Sequence, residues 1–110
     1  MIMFVDPDTD QIEASLASGA QGVEIHTGDY CDAPSDGERA GELNRIYDAS
    51  ECAARAGLYV AAGHGLDYVN VEPICSIEPI LELNIGHSIV SRAVLVGLER
   101  AVREMLALLR

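Results

Sequence analysis

Three observations predict an α/β fold built on parallel strands. Short apolar runs alternate with amphipathic stretches along the whole 110-residue chain, with no low-complexity segment or linker between them. Three of those runs end in a histidine beside glycine: Gly22-Val23-Glu24-Ile25-His26-Thr27-Gly28, Tyr59-Val60-Ala61-Ala62-Gly63-His64-Gly65 and Ile80-Leu81-Glu82-Leu83-Asn84-Ile85-Gly86-His87. The Gly-rich first turn G-x-G-x-x-G of a doubly wound sheet is absent. Histidines that close three consecutive units fit a ring of loops around a shared mouth, so half of an eight-stranded βα barrel is preferred to a small open sheet.

The elements follow in order. Ile2–Val5 is the first strand. Asp8 reads as the N-cap of a helix with Gln11 three residues on, a capping-box variant, and Gly19 as its stop. Gly22–His26 is the second strand. After a loop, Ser35 and Glu38 supply a second capping box. The helix that follows carries Leu43, Ile46, Tyr47, Ala53 and Ala54 at helical spacing and stops at Gly57. Leu58–Ala62 is the third strand. Asp67–Ser76 holds Pro73 and little periodicity, which predicts only a short helix or turn. Ile80–Ile85 is the fourth strand. Ser88 opens the longest predicted helix, with Val90, Val94, Leu98, Ala101, Met105 and Leu109 on one stripe and a Glu99–Arg103 pair on another face.

Composition narrows the function. One domain is the limit of this length. The chain is 49% hydrophobic but only 5% aromatic, with no Trp, so Ala, Val, Ile and Leu must fill the core. No run approaches the ~20 apolar residues of a membrane span. Met1–Val5 lacks a basic segment and meets Asp6-Pro7-Asp8, so no secretory signal is predicted and the cytoplasm is the expected location. Cys31, Cys52 and Cys75 are widely spaced and expected as free thiols. A net charge of −11 makes nucleic acid and anionic membrane poor partners, but a helix N-terminus can still bind a small phosphate locally. All seven bases are Arg; without Lys, neither a Schiff-base lysine nor a phosphate-loop lysine is available.

Strand alternation puts Glu24 and His26 on one face, with Val23 and Ile25 toward the helices. A carboxylate within a barrel strand is costly unless paired or solvated, which marks Glu24 as a candidate site residue; Glu82 and Asn84, deeper in their strand, are read as structural. His64 lies between two glycines that leave its imidazole bare, and a side chain with a reference pKa of about 6.5 can give and take protons at neutral pH. Gly86, His87 and Ser88 stand where a helix N-terminus presents free N–H groups, and with Gly65 they form a candidate phosphate site, against Ser88 as a plain N-cap. His26 is divided between lining the site and bonding within its loop. Zinc held by three histidines and a carboxylate is an alternative, although spacings of 38 and 23 residues include no H-x-H or H-E-x-x-H pair.

Four segments together resemble the pyridoxine 5′-phosphate synthase family: Phe4-Val5-Asp6-Pro7-Asp8, Val23 to Tyr30, Ala62-Gly63-His64-Gly65-Leu66-Asp67-Tyr68, and Glu82-Leu83-Asn84-Ile85-Gly86-His87. The resemblance covers the whole chain but only the C-terminal half of that enzyme. It implies one partial TIM-barrel domain over residues 1–110, corresponding to strands five to eight and their helices. It also implies condensation of 1-deoxy-D-xylulose 5-phosphate with 3-amino-2-oxopropyl phosphate to pyridoxine 5′-phosphate, phosphate and water, with no metal and no cofactor. By position, His64 resembles the proton donor and Glu24 the carboxylate that stabilises a transition state. Gly65, Gly86 and His87 resemble the residues that hold the amino-ketone phosphate. Val69, Ser88 and Ser91 depart mildly from the pattern. The first half of the family, with another histidine, a general-base glutamate and Asp and Arg binding groups, has no counterpart here. The chain alone is therefore expected to be inactive or nearly so, and to form a homo-oligomer or need a complementary N-terminal half. A metal-dependent barrel hydrolase or lyase and a non-catalytic phosphate-binding module are the alternatives.

Overall fold

Four parallel strands pair in chain order: β1 (Ile2–Val5), β2 (Gly22–His26), β3 (Tyr59–Gly63) and β4 (Glu82–Asn84). A computed structural model describes residues 1–109. The helices are α1 (Thr9–Ala17), α2 (Gly28–Cys31), α3 (Asp36–Arg55), α4 (Val71–Cys75), α5 (His87–Val96) and α6 (Leu98–Leu108). Because the strand order never reverses, right-handed crossovers carry the connecting helices to the same side of the sheet.

Strand register sorts the two faces. Met3, Val23 and Val60 align on one face, as do Val5, Ile25, Ala62 and Leu83. They pack against Ile12 of α1, Ile46, Ala49 and Ala53 of α3, Val71 and Ile74 of α4, and Met105 of α6. On the opposite face Phe4, Glu24, Ala61 and Glu82 form one row and His26, Gly63 and Asn84 the next. This second face carries no helix layer: Phe4, the chain's single Phe, is 79% exposed, while Ile25 behind it is fully buried.

Local sequence explains the helix starts. Asp8 caps α1 by accepting from the Asp10 N–H at 2.9 Å, and Ser35 caps α3 by accepting from the Glu38 N–H at 3.1 Å. The return arm of the first box goes elsewhere, since Gln11 Oε1 accepts from the Asp6 N–H at 2.8 Å and ties the turn after β1 to the helix. Gly19 and Gly57 follow α1 and α3 at φ +83, the left-handed stop expected of them.

Several expectations need correction. The third strand runs from Tyr59 to Gly63, one residue later than predicted, and the fourth pairs only over Glu82–Asn84. The loop after β2 contains the short helix α2, which had no predicted counterpart. On α3 the inward stripe is Ile46, Ala49, Ser50 and Ala53, while Tyr47 and Ala54 face solvent. Ser50 is tolerated inside because its hydroxyl donates to the Ile46 carbonyl at 2.7 Å. The last helix is not continuous. Gly97, at φ +86 and ψ 154, breaks it into α5 and α6, so the 20-residue α3 is the longest. The break also divides the predicted stripe: Ala101 and Met105 are buried, whereas Val90, Val94 and Leu98 are exposed. Arg92 of α5 spans it with a fork to Glu104 of α6 at 2.9 and 3.2 Å. The Glu99–Arg103 pair forms as expected. Among the described residues no helix is long and apolar enough to cross a membrane.

The two faces of the sheet predict different mutational costs. Ile25→Ala is expected to lose about 2–5 kcal/mol and Phe4→Ala under about 1 kcal/mol, both measured by urea unfolding of the chain. Equal losses would mean that Phe4 is packed against something in solution.

Candidate active site

The carboxyl ends of β2, β3 and β4 bring the predicted residues to one place. Glu24, His64, Gly65, Gly86 and His87 all line a single cleft of about 590 Å³, together with Leu66, Asp67, Asn84, Ile85 and Ser88. His26 does not line it; its ring lies against His64 instead, with centroids 4.4 Å apart and planes inclined by 24°.

Glu24 is oriented from across the sheet. The Asn84 amide on β4 donates to Glu24 Oε1 on β2, passing over the intervening β3. The crossing works because the β3 residues aligned with Glu24 and Asn84 are the small Ala61 and Gly63. Asn84, read from sequence as structural, is thus a site residue in its own right. The register across β3, which a sequence does not print, decides that they meet. Glu82 keeps a local role, accepting from the Tyr59 hydroxyl at 3.3 Å.

His64 occupies a left-handed backbone, φ +90, where every other described residue with positive φ is glycine. Such a conformation costs of order 1–3 kcal/mol for a residue with a Cβ, and surrounding contacts must over-determine it. Thr27 supplies them. Fully buried just after β2, its N–H donates to the Gly63 carbonyl at 2.9 Å. Its hydroxyl lies 2.8 Å from the same carbonyl and 2.7 Å from that of His64, sharing one proton between them. The Cys31 thiol adds a weak 3.5 Å bond to the His64 carbonyl. Nothing in the sequence announced Thr27 beyond its place in the His26-Thr27-Gly28 segment.

The loop beyond His64 is pinned as well. Asp67 Oδ1 accepts from the N–H groups of Val69 and Asn70 at 2.8 and 2.9 Å, and the Tyr30 hydroxyl donates to the Asn70 carbonyl at 2.7 Å. Gly86 occupies the N-cap of α5 with no side-chain cap. Ser88 is not that cap: it sits inside the helix, and its hydroxyl donates to the Leu66 carbonyl at 2.8 Å. The leading N–H groups of α5 thus face the cleft without a competing side-chain oxygen from the cap.

Charge in the cleft comes from few sources. Arg39, Arg45, Arg55, Arg92, Arg100 and Arg103 are each ion-paired with carboxylates on the helices, away from the cleft. Among the described residues no three His, Cys, Asp or Glu side chains converge as a metal-binding group.

Comparison with known proteins adds the decisive observation. A family model described as "Pyridoxal phosphate biosynthesis protein PdxJ" matches residues 1–110. The chain belongs to this family. Its relatives include proteins named pyridoxine 5′-phosphate synthase. One, from Syntrophotalea carbinolica, is 53% identical over 103 residues, which is 94% of this chain and 43% of the relative. Another, from Trichlorobacter lovleyi, is 55% identical over 108 residues, 98% of this chain and 45% of the relative. A third, from Parasynechococcus marenigrum, is 56% identical over 108 residues, 98% of this chain and 43% of the relative. This PdxJ-family chain therefore spans less than half the length of the curated relatives it matches.

Two outcomes test this geometry. Thr27→Val keeps the side-chain shape but leaves the two carbonyls short of a donor, and is expected to destabilise the PdxJ-family chain by about 1–3 kcal/mol in urea unfolding. A loss no larger than that of an exposed Thr would show that the clamp is not made. The second outcome concerns Cys31. Burial above all, with the nearby Asp67 and Asp32 carboxylates, pushes its thiol from 9.0 up to about 11, against the lowering effect of Thr27. Being raised, the shift leaves about a hundredfold less thiolate at pH 8 than an unshifted thiol holds, so alkylation of Cys31 by iodoacetamide is expected to be about a hundredfold slower than in the urea-unfolded chain. Equal rates in the folded and unfolded chains would contradict it.

Proposed function

We propose that the chain forms four βα units, the fifth to eighth, of an eight-stranded barrel, and that the completed barrel makes pyridoxine 5′-phosphate in vitamin B6 biosynthesis. The reaction joins 3-amino-2-oxopropyl phosphate to 1-deoxy-D-xylulose 5-phosphate and releases phosphate and water. One observation carries the reading: residues from three of the four motifs line one cleft at the carboxyl ends of parallel strands, the end where barrels place their chemistry. The singly wound strand order and the uncovered face around Phe4 support the barrel, and the names of the relatives support the reaction.

Each group then has a task that its position suits. His64, exposed on the rim, donates a proton in the ring-forming steps. Glu24 keeps one oxygen on the Asn84 amide and turns its charge toward positive charge developing in the substrate. Gly65, Gly86 and His87 hold the amino-ketone phosphate, with the N-terminal N–H groups of α5 meeting its oxygens. With the six described arginines committed to helix carboxylates, the phosphate charge within this part of the site is met by the α5 dipole and the His87 ring.

The test is formation of pyridoxine 5′-phosphate from the two phosphorylated substrates, with the chain alone and with the remaining half of the Syntrophotalea carbinolica relative supplied separately. Product is expected in the mixture, with little or none from the chain alone. His64→Ala is expected to lower the rate about 10²–10⁴-fold and Glu24→Gln about 10²–10³-fold. Full turnover by a monomer of the chain would refute the need for a second half. A folded mixture that makes no product, yet binds substrate phosphate even after His64→Ala, would point to a binding module instead.

A further inference from the structure

The geometry points to His26 as the positioning residue for His64, a role that rests on the proton-donor reading of His64 given above. None of the hydrogen bonds made by the described residues engages a ring nitrogen of His64. Thr27 fixes where its backbone stands, but an exposed imidazole on a bare rim would still move among rotamers on a nanosecond scale. What lies against the ring is His26, stacked at 4.4 Å. His26 is not among the residues that line the cleft, and the stacked ring of His64 is what connects it to the site.

His26 is itself held on two sides. It is the last residue of β2 and pairs in register with Gly63, the residue before His64, so the two rings leave neighbouring strand ends side by side. Its Nδ1 accepts the Gly28 N–H at 3.3 Å, which holds the ring's edge. Gly28 completes the arrangement. A Cβ there would collide with the His26 ring and stand 3.2 Å from His64 Cδ2, so the stacked pair occupies the space a side chain would need. The segment His26-Thr27-Gly28 thereby serves His64 three times over: one residue for its ring, one for its backbone, and one left without a side chain.

Ring contact is tested first, on the chain as it stands. Proton NMR is expected to show nuclear Overhauser contacts between the His26 and His64 rings. Ring-current displacement of the His64 signals should persist in His26→Phe and vanish in His26→Ala. Absence of inter-ring contact in the unmodified chain would overturn the proposal whatever the enzyme does. Turnover is tested second, with the complementary half present. Misplacing a proton donor costs chemistry rather than binding, so His26→Ala is expected to lower kcat about 10–100-fold with KM changed less than about threefold. His26→Phe, which restores a ring without nitrogen, should recover kcat to within about fivefold of the unmodified chain. An unchanged kcat in His26→Ala would remove the positioning role, and His26→Phe as slow as His26→Ala would make the nitrogen, not the ring, the working part. If the unmodified mixture makes no product, the proton-donor reading fails, and the stacking is judged by the spectra alone.

Discussion

Gly63 is the constraint through which the site is assembled. It ends β3, aligned with His26 on one side and Asn84 on the other. A Cβ at this position would lie 2.9 Å from the Asn84 carbonyl oxygen and 3.3 Å from Glu24 Oε2. Any side chain would therefore press on β4 and on the carboxylate at once. Its bareness lets Asn84 reach Glu24 over the strand between them, and its carbonyl anchors Thr27 through both backbone and hydroxyl. The left-handed turn at His64 begins from that anchored peptide. Carboxylate, amide and imidazole are thus placed by one missing methyl group and the strand spacing it allows.

The two faces of the sheet have unequal chemistry, and the inequality separates the core from the candidate site. Helices bury a continuous aliphatic layer of Val23, Ile25, Val60 and Ile46, which provides the apolar burial that holds four strands together. The other face mixes Phe4 and Ile2 with Glu24, Glu82, Asn84 and His26, a set that neither water nor an aliphatic layer satisfies fully. Such a face suits an enclosed polar interior with apolar residues deeper in it. β1 and β4 each pair on one side only, so unpaired backbone borders that face on both flanks.

Much of this was legible in the sequence because it is local. Asp8 and Ser35 mark helix starts through bonds to N–H groups two or three residues away, and glycines at 19 and 57 mark stops through their own φ. The positions of Glu24, His64, Gly65, Gly86 and His87 at strand exits follow from alternation and turn residues. What was not legible depends on distant partners. The stripe from Val90 to Leu109 predicted one continuous helix; the fold breaks it at Gly97 and buries Ala101 and Met105 while α5 runs elsewhere. Ser50 is absent from the predicted apolar stripe, yet it is buried because its own helix satisfies its hydroxyl. The Glu24–Asn84 bond joins residues 60 positions apart, and the Thr27 clamp residues 36 and 37 apart, pairings set by register alone.

Under the proposed function, an acidic chain that binds phosphates must solve a problem of sign. Eighteen carboxylates against seven arginines repel an anionic substrate at long range, and the arginines described here neutralise neighbouring helix carboxylates. Surface charges of this kind are screened within about 8–10 Å by physiological salt, whereas a helix dipole acts at contact distance on whatever sits at its first turn. Gly86 at the cap of α5 therefore matters for what it lacks. An Asp or Ser there would turn its oxygen onto the same N–H groups that a phosphate needs, as Asp8 and Ser35 do on α1 and α3. With no capping oxygen from its side chain, the N-terminus of α5 remains open to a ligand, and the proposed recognition of an anion there would not depend on the net charge of the chain.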